Sequence, residues 1–405
     1  MTRRVAITGV GAVTPLGVGA RPLLERWCAG ESGIEHGLGR CAEFDPGEHL
    51  SNKEARRTDR FAQLAVAAAA EALADAGWEE ETPYDSVRVG CVVGTGIGGL
   101  GTMEAQHDTL RERGPGRVSP LAVPLMMGNA ATAAVALRHR LRGPAQTTVT
   151  ACAAGTDALG AAARMIRAGD ADAVVAGGAE AALTPLALSA FAAMGAVSEA
   201  GISRPFDARR DGFVMGEGAG ILVLEEAEAA ERRGATVLGE IVGYGASADA
   251  HHITAPEPDG DGASRAIARA LEDAGLGPAD VDYVNAHGTS TQLNDAAETK
   301  ALKAALGAEA HRTPVSSLKS AIGHLLGGAG AVEAVATVLA LEAGMAPPTL
   351  GYEERDDGLD LDYVPGGPRA LRDPAGKGNG SAGRSVALSN SFGFGGHNAV
   401  LCLAR

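Results

Sequence analysis

The chain has 405 residues, 45% of them apolar but only 3% aromatic, with 57 glycines and a formal net charge of −15 from 35 Lys and Arg against 50 Asp and Glu. That charge argues against a general nucleic-acid or anionic-membrane binder. So few aromatics require a core of Ala, Val, Leu and Ile in close backbone contact. The cysteines (Cys28, Cys41, Cys91, Cys152, Cys402) are scattered, odd in number and without a Cys-x-x-Cys pair. This fits a reducing cytosol better than a disulfide scaffold or a zinc site.

In chain order, Met1-Thr2-Arg3-Arg4 leads straight into a β-like run, without the length or cleavage pattern of a signal peptide. A cytoplasmic protein is the expectation. Gly9-Val10-Gly11 follows that strand as in a dinucleotide-binding turn, but the third glycine would fall at Thr14, so the pattern fails. Lys53, Arg56 and Arg57 form the one sharp basic cluster of the first half, read by default as a solvated helix start. Glu71 to Gly77 ends a helical stretch before the strand-like Val87 to Val93, and Arg269 to Gly275 ends another before Val281 to Val284. The offset from Asp75 to Asp273, 273 − 75 = 198, is close to half the chain and predicts a duplicated α/β unit divided as 1–240 and 241–405. Leu110 to Arg117 reads as a charged turn. The apolar Ala181 to Val197, interrupted by Thr184 and Pro185, reads as a buried core segment rather than a membrane span. Asp373 to Gly383, polar and Gly-rich, reads as a mobile surface loop.

Chemistry concentrates in four places. Cys152 lies in Thr150-Ala151-Cys152-Ala153-Ala154-Gly155, ahead of a helical run, where first-turn N–H groups favour a thiolate. A lone Cys among alanines is more often a small buried hydrophobe. Val284-Asn285-Ala286-His287-Gly288-Thr289-Ser290-Thr291 is a β-like run ending in a histidine and hydroxyls. The stretch from Ser316 to Gly330 carries Lys319 and His324. Asn390 to Asn398 brackets Phe392 and Phe394 with glycines that admit close backbone approach.

With these motifs, together with Val5 to Gly11, Arg204-Pro205-Phe206-Asp207 and Gly212 to Gly218, the whole chain resembles the elongating β-ketoacyl synthases of fatty acid and type II polyketide synthesis. The Cys-His-His set points to that branch. Initiating synthases resemble Cys-His-Asn instead, and thiolases Cys-His-Cys. The resemblance implies a thiolase-like α/β fold, layered αβαβα, with the site at the junction of the halves. It also implies decarboxylative condensation of a Cys152-bound acyl chain with a malonyl group on an acyl carrier protein. No cofactor or metal is expected, since the phosphopantetheine belongs to the carrier. A second subunit is expected, a copy of this chain or a chain-length factor.

Residue by residue, the resemblance assigns Cys152 as nucleophile, with its own N–H and that of Phe394 as oxyanion hole. His287 and His324 act as neutral Nε2–H donors to the malonyl thioester. Lys319, in small and apolar surroundings, is read as a buried ammonium needing a carboxylate, with Glu298 and Glu333 as candidates. Thr289 and Thr291 match hydroxyls that hold the phosphopantetheine arm, although a strand-end threonine is commonly a turn former. Phe394 matches a gatekeeper, and Phe392 serves either the site or the core. Ile97 matches a position limiting acyl depth. Ala122 stands where some relatives place an aromatic, leaving space for a longer or polyene chain. Lys53, Arg56 and Arg57 match a carrier-docking patch. A further basic residue common shortly after the position of Phe191 is replaced here by Gly195. Adjacent His251 and His252 carry no accompanying metal-ligand motif, and His252 is assigned to the substrate channel or to structure. The rival from another class, a non-catalytic chain-length factor, lacks the nucleophilic cysteine that this chain has.

Overall fold

The short apolar runs become strands, the Ala-rich stretches become helices, and together they build one unit twice. The computed structural model describes residues 3–78, 81–371 and 383–405. The loop expected from Asp373 onward lies outside the described residues, except for Gly383. The main sheet has 11 strands, ordered Val315–Ser316, Tyr283–Asn285, Val386–Gly393, His397–Ala404, Gly239–Ala248, Val5–Thr14, Gly218–Glu226, Ala173–Glu180, Val89–Gly94, Ala145–Gln146, with Gly17–Val18 beside Val5–Thr14.

The sheet divides between Gly239–Ala248 and Val5–Thr14, which share the partner pairs Ala6↔Glu240 and Ile7↔Gly239. Each half has three parallel strands at its far edge followed by two antiparallel ones. Helix Arg60–Asp75 covers the outer face of the first half, and helix Asp261–Ala274 that of the second. Helices Ala154–Ala168 and Ala329–Ala343 lie between the halves, each packing on strands of both. The result is the αβαβα layering.

The middle layer explains one composition signal. Every residue from Ala329 to Leu341 is buried, because a helix sandwiched between two sheets has no solvent face. Leu326–Ala343 is long and apolar enough to cross a membrane, yet 89% of it is buried inside the protein.

The repeated sequence is also a repeated packing device. A Cβ on Gly9 or Gly11 would stand 2.1 Å from the Ala72 carbonyl oxygen or 2.0 Å from that of Ala68; the same distances separate Gly243 from Ala270 and Gly245 from Ala266. Asp75 accepts the Val10 N–H at 3.0 Å, and Asp273 that of Tyr244 at 2.9 Å. Only glycine lets the strand approach the helix so closely, and in each half the aspartate accepts the N–H of the residue after the first of these glycines.

Ala181 to Val197 corrects an expectation. It is not a buried core segment: beyond Thr184, whose side chain accepts the Ala187 N–H, helix Pro185–Ala193 buries only Ala187. Leu186 and Met194 are 56% and 49% exposed. The helix forms a wall of the functional cavity, and small alanines make an exposed face inexpensive there.

Candidate active site

Cys152 comes from the first half. The chain leaves the edge strand Ala145–Gln146, passes Ala151 at φ 50°, and enters the short turn Ala151–Ala153 that feeds helix Ala154–Ala168. A left-handed non-glycine residue costs on the order of 1 kcal/mol, and such strain commonly marks a functional turn. It sets Cys152 at the head of the central helix, facing Gly393, where a Cβ would stand 3.1 Å from the Cys152 nitrogen.

Burial pushes the Cys152 thiol up to about 11, against the opposing pull of the Lys319 ammonium and of the Phe394 N–H, which hydrogen-bonds the sulfur. Cys152 at rest is therefore a neutral thiol rather than the thiolate that helix position alone suggests. Its neighbours are apolar, with Leu100, Phe213, Met215 and Leu326 in the same cluster. Desolvation in such surroundings outweighs a helix terminus.

Both histidines come from the second half. His287 follows strand Tyr283–Asn285, and the N–H groups of His287 and Gly288 donate to the two oxygens of Glu298 at 2.8 and 2.7 Å. The Asn390 amide donates to the same carboxylate at 3.1 Å, and burial raises Glu298 to about 7. His324 Nδ1 accepts the Leu326 N–H at 3.3 Å, which leaves the hydrogen on Nε2. The two imidazoles meet edge to face, centroids 5.3 Å apart at 84°. Burial first, and the Lys319 charge second, hold both well below the usual histidine range, so both are neutral.

Lys319 pairs with Glu333, each 1% exposed. Of the two carboxylates considered for it, Glu333 is the partner, and Glu298 instead holds the backbone at His287. Thr289 and Thr291 place their hydroxyls 2.9 Å apart, and Thr291 also caps helix Gln292–Leu306.

Cys152, His287, His324, Thr289, Thr291, Ile97, Phe191, Phe392 and Phe394 all line one cavity of about 460 Å³. Phe392 packs edge-on against His287 with centroids 5.8 Å apart and also rests on the core of the second half, so it bridges cavity and core. Lys319, Glu298 and Glu333 stand behind this lining, and two of the substrate-contact candidates also stand outside it. Ala122 opens helix Ala122–Met126, half-buried. The exposed His252 accepts the N–H groups of Thr254 and Ala255, both at 3.1 Å, and so shapes the turn at the mouth that those two residues line. Lys53, on helix Asn52–Ala55 behind a Ser51/Glu54 capping box, and Arg56 and Arg57 are exposed on the surface. Among the described residues no group of three or more His, Cys, Asp or Glu is placed to hold a metal.

Sequence reasoning missed Glu180. It is fully buried beside the site and takes donors from two separate segments, Thr95 to Gly98 and Gly327. A lone acidic residue ending an apolar strand was its only trace.

Residues 38–230 match the family described as Beta-ketoacyl synthase, N-terminal domain, and residues 238–353 its C-terminal domain. The chain belongs to the β-ketoacyl synthase family. Among curated relatives of this synthase, the 3-oxoacyl-[acyl-carrier-protein] synthase 2 of Synechocystis sp. is 47% identical over 421 residues, covering 100% of this chain and 98% of that one. Among solved structures, that of a type II PKS acyl-carrier protein in complex with its ketosynthase bound to the hexaketide matches with TM-score 0.88 and 34% identity, covering 100% of this chain and 99% of that one. The ishigamide ketosynthase/chain length factor matches with TM-score 0.89 and 34% identity, covering 100% of both chains.

Proposed function

We propose that this synthase performs decarboxylative Claisen condensation between an acyl chain on Cys152 and malonyl carried by an acyl carrier protein, in fatty acid or type II polyketide synthesis. The observation that carries it is the convergence, in one mostly apolar cavity, of a thiol, a backbone N–H on its sulfur and two neutral imidazoles. In the first step Cys152 Sγ attacks the acyl thioester carbon, its proton leaves with the departing carrier thiol, and the N–H groups of Cys152 and Phe394 receive the developing oxyanion. In the second, the malonyl C–carboxylate bond breaks and carbon dioxide departs. The electron pair becomes an enolate held by His287 and His324 Nε2–H, and the enolate carbon attacks the Cys152 acyl carbon. The thiolate is expelled and takes up one proton from solvent. Atoms and electrons balance without a free cofactor.

Residues 1–240 supply the nucleophile and 241–405 both imidazoles. Lys53, Arg56 and Arg57 dock an acidic carrier, while Thr289 and Thr291 receive its phosphopantetheine. Exposed Leu121, Val123, Met126 and Met127, near the open edge strand Ala145–Gln146, support a second subunit there. That subunit is a copy of this chain or a chain-length factor, and the native mass of the complex distinguishes them. Five free thiols support a cytoplasmic setting. Intact-protein mass spectrometry after incubation with acyl-carrier thioester tests the core of the reading: wild type gains the acyl mass and Cys152→Ala does not. An adduct of normal yield on a folded Cys152→Ala variant would rule out this nucleophile.

A further inference from the structure

Glu180 ends strand Ala173–Glu180 without any solvent exposure, and its four partners are uncharged donors. Oε1 accepts the Thr95 hydroxyl at 3.0 Å and the Gly98 N–H at 3.3 Å; Oε2 accepts the Gly96 N–H at 2.7 Å and the Gly327 N–H at 3.2 Å. Acceptance at both oxygens suits a carboxylate, against which burial raises Glu180 to about 7. Burying one without a cation is costly, so neutral side chains normally serve where a role is only structural.

The two segments it holds lie against each other beside the site. Gly96 and Gly98 bracket Ile97, which lines the acyl cavity. Gly327 follows Leu326, whose N–H fixes the tautomer of His324. Between them there is no slack: a Cβ on Gly327 would stand 2.0 Å from the Gly96 nitrogen, and one on Gly96 2.8 Å from Glu180 Oε2. We propose that Glu180 is a positioning residue that couples the depth of the acyl cavity at Ile97 to the orientation of His324. An acyl chain pressing on Ile97 then shifts the shared carboxylate, and through Gly327 the turn that aims His324. The proposal rests on the condensing reading above.

Glu180→Gln keeps the shape but sets an NH₂ donor against N–H donors. The variant is expected to acylate Cys152 near the wild-type rate. Carbon dioxide release from malonyl-carrier protein by the acylated enzyme should fall about 10²-fold, the penalty of a roughly 1 Å misplacement. Preference among straight acyl chains should flatten. Acylation and carbon dioxide release falling by the same factor, or neither changing, would overturn the coupling. If the variant does not fold, the wild type decides: pre-acylated with straight chains of increasing length, it should release carbon dioxide in single turnover at rates that depend on length, and a length-independent rate refutes the proposal. A wild type that neither acylates nor releases carbon dioxide defeats the condensing reading itself, and Glu180's role with it.

Discussion

Replacing Lys319 by Met separates the structural from the chemical share of the buried ion pair. Lys319 and Glu333 are each 1% exposed, and one Glu333 oxygen has no hydrogen-bond partner even in the intact pair. Lys319→Met strands that carboxylate in an apolar layer, at a cost of about 3–5 kcal/mol, a large share of the roughly 5–15 kcal/mol that holds a typical domain folded. The double variant Lys319→Met, Glu333→Gln removes the stranded charge, so its urea midpoint should return most of the way to wild type. Its chemistry should not return, because the ammonium is the leading influence opposing burial at Cys152. Iodoacetamide alkylation against pH reads this directly: each unit by which the apparent thiol pKa rises lowers the rate at fixed pH about tenfold. A double variant as unstable as the single one, or one alkylated at the wild-type rate, would refute the reasoning.

Cys152→Gln places an amide where the acyl thioester sits and should lose condensation while retaining malonyl decarboxylation; no carbon dioxide above the uncatalysed rate, in a folded protein, sinks the separation of steps. Reversing two charges among Lys53, Arg56 and Arg57 should raise the apparent KM for carrier-bound substrate but spare small soluble thioesters, and added salt should weaken the wild-type carrier reaction because exposed pairs are screened beyond about 8 Å. Equal slowing of both substrates would make the cluster structural. The pH dependence of stability has opposing parts. His287 and His324, depressed in the folded state, contribute stability that is lost as pH falls through about 6.5, whereas Glu180 and Glu298, raised to about 7, contribute stability that grows as pH falls toward about 4.5. Replacing both histidines by Asn should therefore make the urea midpoint rise, relative to wild type, as pH drops from about 6.5 to about 5; parallel curves would contradict the assignment of two neutral imidazoles.

What could be read from the chain follows from where its constraints lie. The duplication was legible because strand and helix touch through Gly9, Gly11, Gly243 and Gly245, and because Asp75 and Asp273 each answer one strand N–H. Those contacts fix residue type at fixed offsets. The Lys319 partner was legible as far as its chemistry, a buried carboxylate, but the choice between Glu298 and Glu333 depends on packing across elements. Glu180 left almost no trace, since three of its four donors are backbone N–H groups that any sequence supplies. Ala181 to Val197 misled because apolar composition without aromatics says little about burial when alanine dominates.

The thiol shows why local rules fell short at the site itself. Helix position favours a thiolate, yet burial raises Cys152 to about 11, and the same burial is the first cause of neutrality at His287 and His324. In the proposed mechanism, one property of the cavity thus weakens the nucleophile and strengthens the second step. A wetter cavity would bring the thiol toward about 8.5 and the imidazoles toward about 6.5. An imidazolium beside the nascent enolate, or a water admitted with it, would protonate the carbanion before a carbon–carbon bond formed. The acyl transfer can tolerate a neutral resting thiol, because its proton has a destination in the departing carrier thiol. The enolate has no such margin, and the burial of Cys152, His287 and His324 suits its requirement.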